Sequence, residues 1–329
     1  MDEANASTDT NFIIRVRTGT YDASQAATKF ELGASEPDQV IELSGGWSGS
    51  GNTCQSRSLN PSLTVLQGTP SRSALTFGTR TTTNQGSVAY VNGFTLRNPL
   101  FSESGAACLD GFARGAGETR VERLHLRQCV ASLNQDTYGA ARFHNNGARL
   151  TVRDVNVHDN SGHMIGGIFA ITTQGGVTAL SQISITQSLA TSEQATGSGL
   201  FLQNYSGGTT HLSNSVVWDN DAAPAAVSDI AVSGNNGNVH FTRAHYGSLN
   251  GTPTSNNTPS TGDPGFVASG DAHLRADSIL IDSGVTNPQG GTGTFDADGN
   301  TRVQGAGVDV GAFEATPVVT ASTFLDGFE

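Results

Sequence analysis

Long apolar runs are missing from this 329-residue sequence, in which no stretch approaches the roughly 20 apolar residues that a membrane helix requires. Lysine is almost missing as well, since Lys29 is the only one among 17 basic residues. These face 29 acidic residues and leave a net charge of −12, which disfavours binding to a phosphate backbone. We therefore predict no membrane span and no nucleic-acid partner.

Charged residues of both signs are scarce, at 14% of the chain, whereas glycine is abundant at 41 residues. Serine, threonine and asparagine are spread over the whole length, in contrast to helical proteins rich in Ala, Glu, Lys and Leu. This composition predicts an all-β protein with many turns. The length alone allows one large domain or two modest ones.

An internal repeat organises the middle of the chain, where segments of similar pattern recur after 30, 31, 28, 32 and 29 residues. These segments are VNGFTLRN from residue 91, VERLHLRQ from 121, VRDVNVHDN from 152, LSQISITQS from 180, LSNSVVWDN from 212 and FTRAHYG from 241. A second, glycine-led segment such as GAARFHNNG or GSGLFLQN follows each of them. Each repeat therefore contains at least two short strands.

Apolar residues alternate with polar ones inside these segments, as expected for strands with one buried side. We predict that the inward pairs are Phe94 and Leu96, Leu124 and Leu126, Val155 and Val157, and Ile183 and Ile185. A unit of about 30 residues cannot bury its own apolar side, so it must stack on its neighbours as a solenoid, a parallel β-helix. Propeller blades are the alternative, but they are longer and need four antiparallel strands.

Polar residues close each first strand, and we predict that they stack as a ladder of side-chain amides along the axis. They are Asn98, Gln128, Asn160, Gln187 and Asn220.

Both ends of the chain resemble one family. FIIRVRTGTYDAS (12–24) and VIELSGGWSGSGNTCQSRSLNPSLTVLQG (40–68) are similar to the opening coils of pectin-lyase-like proteins of bacterial surfaces and secretions. DPGFVASGDAHLRADSILIDSGVTN (263–287) and DADGNTRVQGAGVDVGAFE (296–314) resemble their closing segment, apart from Ile279 and Leu280, where Pro-Ala is common. The resemblance implies a single-stranded right-handed parallel β-helix.

The domain organisation follows from this resemblance. We expect a flexible lead-in over 1–11, one β-helix domain over 12–314, and a linker and short tail over 315–329. Repeat coils occupy about 86–250 and a closing cap about 263–314. The final TFLDGFE resembles an acidic-aromatic tail of secreted proteins from some Gram-negative bacteria, and the polar start DEANASTDT fits a removed signal, so we predict a secreted or outer-surface location.

Three cysteines are too few for a disulfide scaffold and lack the paired CxxC spacing of a zinc site. One disulfide with one thiol and three thiols are both compatible with the sequence. If a pair is oxidised, we expect Cys108 with Cys129, which would lie in neighbouring strands of adjoining coils. Cys54 belongs to the early GGW region.

Asp296, Asp298 and Asn300 alternate as the first ligands of a calcium hand do. The sixth and twelfth positions hold Thr301 and Gly307 instead of Gly and Glu. We therefore favour an end cap, with GAF entering the last coil and the acids pairing with the single arginine, and expect no cofactor. Bound calcium is the alternative. The members of the cap are Asp296, Arg302, Asp309 and Glu314.

The outward positions of the first strands collect four arginines and three histidines but one acid. In pectin-lyase-like enzymes a groove along one sheet holds a uronate chain, which needs arginine for its carboxylates, an aromatic platform and a base. We predict catalytic roles for Arg127 and His158. A solvated polar face without function is the alternative. The predicted substrate-binding residues are Arg97, Arg123, His125, Asp154, Trp218 and Arg243.

The function that these features predict is binding of a polysaccharide or cell-surface glycan. The first alternative is a polysaccharide lyase acting on a uronate-containing glycan, and the second is a subunit of a surface fibre that self-associates through its solenoid ends. The sequence does not decide whether the protein is an enzyme. Among enzymes a lyase fits better than a glycoside hydrolase, because Asp159 and Asp219 are separated by about 10 Å, the outer limit for a carboxylate pair.

Overall fold

The computed structural model describes residues 10–25, 30–51, 53–80, 85–102, 105–132, 137–192, 194–195, 197–221, 228–257 and 262–316. Within these ranges the regular structure is strand, apart from two short 3-10 turns at Ala23–Gln25 and Pro61–Leu63. The prediction of an all-β fold is confirmed. Most of the lead-in and tail predicted for 1–11 and 315–329 lies outside the described residues.

In chain order the strands are β1 (Asn11–Arg17), β2 (Gly19–Asp22), β3 (Glu31–Ala34), β4 (Val40–Ser48), β5 (Ser56–Arg57), β6 (Thr64–Gln67), β7 (Leu75–Thr79), β8 (Gln85–Phe101), β9 (Leu109–Arg114), β10 (Ala116–Ala131), β11 (Ala141–Asn146), β12 (Arg149–Gly162), β13 (Ile168–Thr173), β14 (Val177–Ala190), β15 (Gly197–Asn204), β16 (Thr209–Trp218), β17 (Ser228–Ser233), β18 (Asn238–Tyr246), β19 (Leu249–Asn250), β20 (Ser255–Asn257), β21 (Phe266–Ala268) and β22 (Asp271–Leu274).

Two parallel sheets form the walls of the solenoid. The first sheet has the order β1-β4-β8-β10-β12-β14-β16-β18-β20, with β2, β5 and β6 at its side, and the second has the order β19-β17-β15-β13-β11-β9-β7-β3. Successive coils add one strand to each sheet, which gives about seven turns with coils of about 30 residues. The predicted parallel solenoid is therefore confirmed.

The core lies between the sheets and consists of the inward residues of each coil. All eight predicted inward residues, from Phe94 to Ile185, are at most 1% exposed. They stack in register from coil to coil, as Leu124 does between Phe94 and Val155. Burial of these stacked side chains is the main stabilising contribution available to coils that have no core of their own.

The long strands of the first sheet bend twice, each time at a residue with positive φ. The first bend places non-glycine residues in the left-handed region, with φ between 46° and 57°, and Gly93 takes this position in β8. The second bend has φ between 48° and 58°. The first bend contains Arg123, Asp154, Gln182, Asn214 and Arg243, and the second contains Gln128, Asp159, Gln187 and Asp219.

The predicted amide ladder is shorter than expected. Asn160 accepts a hydrogen bond from the Cys129 amide and donates one to the Leu126 carbonyl of the preceding coil, both at 2.9 Å. Asn220 makes the same pair of bonds two repeats further on, with the Ser188 amide and the Ile185 carbonyl. Gln128 and Gln187 were wrongly included, because they occupy the second bend one residue earlier. The asparagines therefore join backbones in alternate coils.

The cysteine prediction is confirmed. Cys108 and Cys129 form a disulfide with their Cα atoms 5.7 Å apart, and both are buried in the core. The thiol of Cys54 is unpaired.

Residues 262–316, here called the closing segment, lie across the outer side of the first sheet. Their contacts reach one coil after another, from β18 back to β10. The predicted end cap is therefore wrong in its position, since GAF lies over the middle coils instead of entering the last one. The contacts are Gly262 O with His245 Nε2 at 2.8 Å, Gly311 N with Asn214 O at 2.9 Å, Ala312 N with Ser184 Oγ at 2.9 Å, and the ring of Phe313 edge-on to His125 at 6.1 Å.

Arg302 anchors the closing segment from inside the interface, where it is 1% exposed. Its guanidinium donates to the carboxylate of Asp154 in β12 and lies 3.6 Å from the carboxylate of Glu314. Burial raises the pKa of Asp154 to about 6 and that of Glu314 to about 7. The expected pairing within the closing segment is confirmed for Arg302 and Glu314, and Asp154 joins it from the coils.

We expect Arg302→Met to lower the free energy of unfolding by about 3–5 kcal/mol, because the buried Glu314 loses its cation and Asp154 keeps only Arg153. Denaturant unfolding at pH 8, where both carboxylates are ionised in the wild type, measures the change. The matched control is Arg275→Met on the exposed surface of the same segment, which should leave the free energy of unfolding nearly unchanged. Equal stability of the two variants would contradict the anchoring role.

Candidate functional site

Three of the predicted substrate-binding residues lie beneath the closing segment. Arg123 is 7% exposed, donates to Asn92 Oδ1 at 2.6 Å and stands 5.8 Å from the ring of Phe295. Asp154 is the partner of Arg302, and His125 packs between the closing segment and its own strand. These side chains hold the segment on the sheet and do not form an open floor.

Trp218 and Arg243 are not brought close to the predicted catalytic residues. Trp218 packs against the buried cluster of Val216, Leu280 and Val310 that joins the closing segment to the coils. It lies three coils from Arg127, which corresponds to about 14 Å at one strand spacing per coil. Arg243 is at the bend of β18, four coils from Arg123.

Arg97, Arg127 and His158 remain beside the closing segment as a line that we call the arginine strip. Arg127 pairs in register with His158. Leu96 and Leu126 are also register partners, and Arg97 and Arg127 directly follow them in their strands. Within the described ranges no carboxylate lies within 4.0 Å of either guanidinium, and both Nε atoms are buried without a partner. His158 Nδ1 contacts Asp159 Oδ2 at 2.9 Å. The strip therefore has cations available to an anionic ligand.

His273 and two aspartates form a hydrogen-bonded cluster in the closing segment. His273 Nε2 contacts Asp298 Oδ2 at 2.9 Å, Nδ1 contacts Asp271, and the ring stacks on Phe313 at 3.9 Å. The hydrogen bond to Asp298 raises the pKa of His273 to about 9, whereas burial lowers the pKa of His125 to about 4. At neutral pH, His273 is charged and His125 is neutral.

The acids of the calcium-like stretch already have protein partners. Asp296 accepts hydrogen bonds from the amides of Asp298, Asn300 and Glu314, and Asp298 bonds His273. Over the described part of the chain, no group of three or more His, Cys, Asp or Glu side chains is arranged to hold a metal ion. The expectation of no bound cofactor stays a prediction, with calcium as the alternative.

The outer side of the second sheet carries aromatic rings that the sequence reasoning missed. Tyr138 and Phe169 stack with ring centroids 4.8 Å apart, and Phe169 lies 5.5 Å from Phe201 of the next coil. Phe112 is half-buried on the same side. We call these four residues the aromatic face. Alternation in LDGFAR, ARFHNN, IFAITT and GLFLQN was the available signal, but outward residues were predicted only for the first strand of each repeat.

Arginines stand over these rings at cation–π distance. The guanidinium carbons of Arg80 and Arg114 are 5.8 and 5.9 Å from the centroid of Phe112, and that of Arg142 is 5.8 Å from Tyr138. The face therefore combines flat apolar surfaces with positive charge.

Only part of this charge is neutralised locally. Arg80 pairs with Glu31 at 2.6 Å and Arg142 pairs with Asp110 at 2.8 Å. Arg114 is exposed and has no ion pair among the described residues. An anionic group could approach Arg114 without displacing a carboxylate.

Comparison with protein-family models, with curated proteins and with solved structures finds no match to this chain. Among the described residues, no helix is both long and apolar enough to span a bilayer.

We expect His273→Gln to flatten the pH dependence of stability above pH 6.5. A histidine whose pKa is raised on folding stabilises the protein fully below about pH 6.5, and this contribution is lost as the pH rises through about 9. Melting temperatures between pH 6 and 10 measure the slope. His211→Gln is the control, because burial lowers the pKa of His211, so that its contribution to the slope lies below about pH 6.5. A wild-type slope in His273→Gln would contradict the stabilising role of the hydrogen bonds between His273 and its two aspartates.

We also expect EDTA to leave the melting temperature nearly unchanged, because the oxygens of Asp296 already accept backbone amides. The measurement is a thermal melt with and without the chelator, with added calcium as the return control. A drop of many degrees that calcium reverses would show a structural cation.

Proposed function

We propose that this protein is a secreted or cell-surface β-solenoid that binds an acidic glycan along the outer side of its coils. The observation that carries the proposal is the aromatic face of the second sheet, with three arginines over its rings. The resemblance of both chain ends to pectin-lyase-like proteins of bacterial surfaces supports the location and the ligand class.

Aromatic rings and arginines recognise different parts of such a ligand. A half-buried ring such as Phe201 offers a flat apolar surface to the face of a sugar, whereas a guanidinium holds a carboxylate through two parallel hydrogen bonds. Successive coils repeat their outward groups about every 4.8 Å. A glycan lying along the axis therefore meets a new set of outward groups at each coil, such as Arg142, Phe169 and Phe201 in register.

The charge distribution supports an acidic ligand. The chain has a net charge of −12, so repulsion disfavours polyanions over most of its surface. Arg114 and the arginine strip are local exceptions with guanidinium groups that have no ion pair among the described residues. The predicted roles of Arg97, Arg127 and His158 are kept as a second contact region for the same class of ligand.

A polysaccharide lyase is the second candidate, and one observation favours it. His158 is fixed through Nδ1 by Asp159, leaves Nε2 without a partner among the described residues, and lies next to the unpaired Arg127. An arginine that neutralises a uronate carboxylate beside a base is the combination that abstraction of the α proton needs. In that case an unsaturated product absorbing in the ultraviolet should accumulate, and His158→Ala should abolish it.

We expect Arg114→Ala to weaken binding of an oligogalacturonate roughly tenfold or more, since a charge-assisted hydrogen bond contributes about 1.5–3 kcal/mol. Phe201→Ala should weaken binding of charged and neutral oligosaccharides alike, because ring stacking does not depend on charge. Titration calorimetry measures both affinities, and added salt should reduce only the charged interaction.

Arg275→Ala removes an exposed arginine of the closing segment and is the matched control, with wild-type affinity expected. Arg127→Ala tests the arginine strip separately, with the same tenfold expectation. If wild-type protein binds no glycan in a broad screen and instead sediments as concentration-dependent filaments, the fibre alternative replaces the proposal.

A further inference from the structure

A cleft of about 340 Å³ lies where the closing segment meets the first half of the first-sheet strands. This seam cleft is separate from the aromatic face and from the arginine strip. Its volume is at the lower end of small-molecule pockets, which span roughly 300–1,000 Å³. It is lined by Glu118, Arg120, Glu122, Arg149, Thr151, Arg153 and Gly290.

Adjacent strands alternate acid and base across the floor of the seam cleft. Glu118 of β10 is opposite Arg149 of β12, and Glu122 is opposite Arg153. Arg120 donates to Glu118 at 2.8 Å and Arg153 donates to Glu122 at 2.6 Å. These two pairs leave Arg149 as an exposed cation without an ion pair or side-chain hydrogen bond within the described ranges.

The acid and base at the inner end of the floor are fixed by further bonds. Tyr90 donates its hydroxyl to Glu122 at 2.8 Å, and burial beside this carboxylate raises the pKa of Tyr90, which keeps the hydroxyl protonated. Arg153 also donates to the Gly290 carbonyl at 3.0 Å. The inner end is therefore rigid, whereas Arg149 at the outer end is free to turn toward a ligand.

Backbone without side chains forms the wall of the seam cleft. Gly290 and Gly291 both have positive φ, of 94° and 80°. A Cβ atom on Gly290 would lie 2.9 Å from the Cβ of Ala179, and one on Gly291 would lie 3.2 Å from Arg153 Nη1. The closing segment can approach the sheet here only because it has no side chain, and this approach encloses the cleft.

We propose that the seam cleft binds a single acidic sugar unit, a hydroxy acid whose carboxylate pairs with Arg149 and whose hydroxyls donate to Glu118. Glu118 uses one carboxylate oxygen for Arg120, which leaves the other for a hydroxyl donor. A simple carboxylate would meet Arg149 alone and a neutral sugar would meet Glu118 alone. Only a ligand with both a carboxylate and hydroxyl groups contacts Arg149 and Glu118 together.

The test is titration of the full chain with D-glucuronate, followed by NMR or calorimetry. Wild-type protein should bind glucuronate saturably, with glucose and acetate each at least tenfold weaker. Arg149→Ala should weaken glucuronate roughly tenfold or more, since a charge-assisted bond of this class corresponds to at least that factor. Arg149→Lys keeps the charge but loses the paired hydrogen bonds, and should lie between wild type and alanine.

Glu118→Gln should weaken glucuronate but leave acetate unchanged, which separates the hydroxyl contact from the charge. Arg275→Ala removes an exposed arginine outside the cleft and is the matched control, with wild-type glucuronate binding expected. Wild-type affinity in Arg149→Ala, or acetate binding as tightly as glucuronate, would overturn the inference. The inference is independent of the proposed function, because unchanged oligogalacturonate binding in Arg114→Ala would contradict the glycan site on the aromatic face and would not alter the expected effect of Arg149→Ala.

Discussion

Every coil of this chain has an apolar side that only its neighbours can bury, and the rest of the structure depends on this constraint. Strand spacing determines the distance between coils, in-register stacking places Leu124 between Phe94 and Val155, and the asparagines Asn160 and Asn220 join the backbones where the strands turn. Because stacking uses all inward positions, any chemistry must come from outward side chains. Function in this architecture is therefore a matter of which outward surface stays in contact with water.

On the first sheet, the closing segment determines which outward side chains stay in contact with water. It buries outward groups under a layer held by Arg302, whose cation faces the carboxylates of Asp154 and Glu314 in an interface almost without solvent. A buried ion pair of this kind contributes little net stability compared with an apolar contact, but losing one partner costs several kcal/mol. The arginine strip and the seam cleft remain open beside the closing segment on the first sheet.

Several features of the site were predictable, and the failures have physical causes. Alternation correctly assigned Phe94 and Leu126 to the core, because a period of two is a local property of a strand. The same alternation placed Arg123 and Asp154 on the exposed side of the first strands, although both occupy bends with positive φ and lie under the closing segment. Nothing in a straight-strand pattern indicates a bend at a residue other than glycine. Trp218 was assigned to a ligand because it lies on the outward side, although its ring packs on the cluster around Leu280 of the closing segment.

The sequence by itself determined the repeat length, the inward residues and the parallel solenoid, and it placed Cys108 close to Cys129. Each of these depends only on neighbouring residues or adjoining coils. Only the tertiary structure decided which outward groups are covered. Arg302 and Asp154 are 148 residues apart in the chain, and Ser184 and Ala312 are 128 apart. Contacts over such separations form when the closing segment packs on the surface of the folded coils. A local sequence pattern does not indicate which part of that surface it covers.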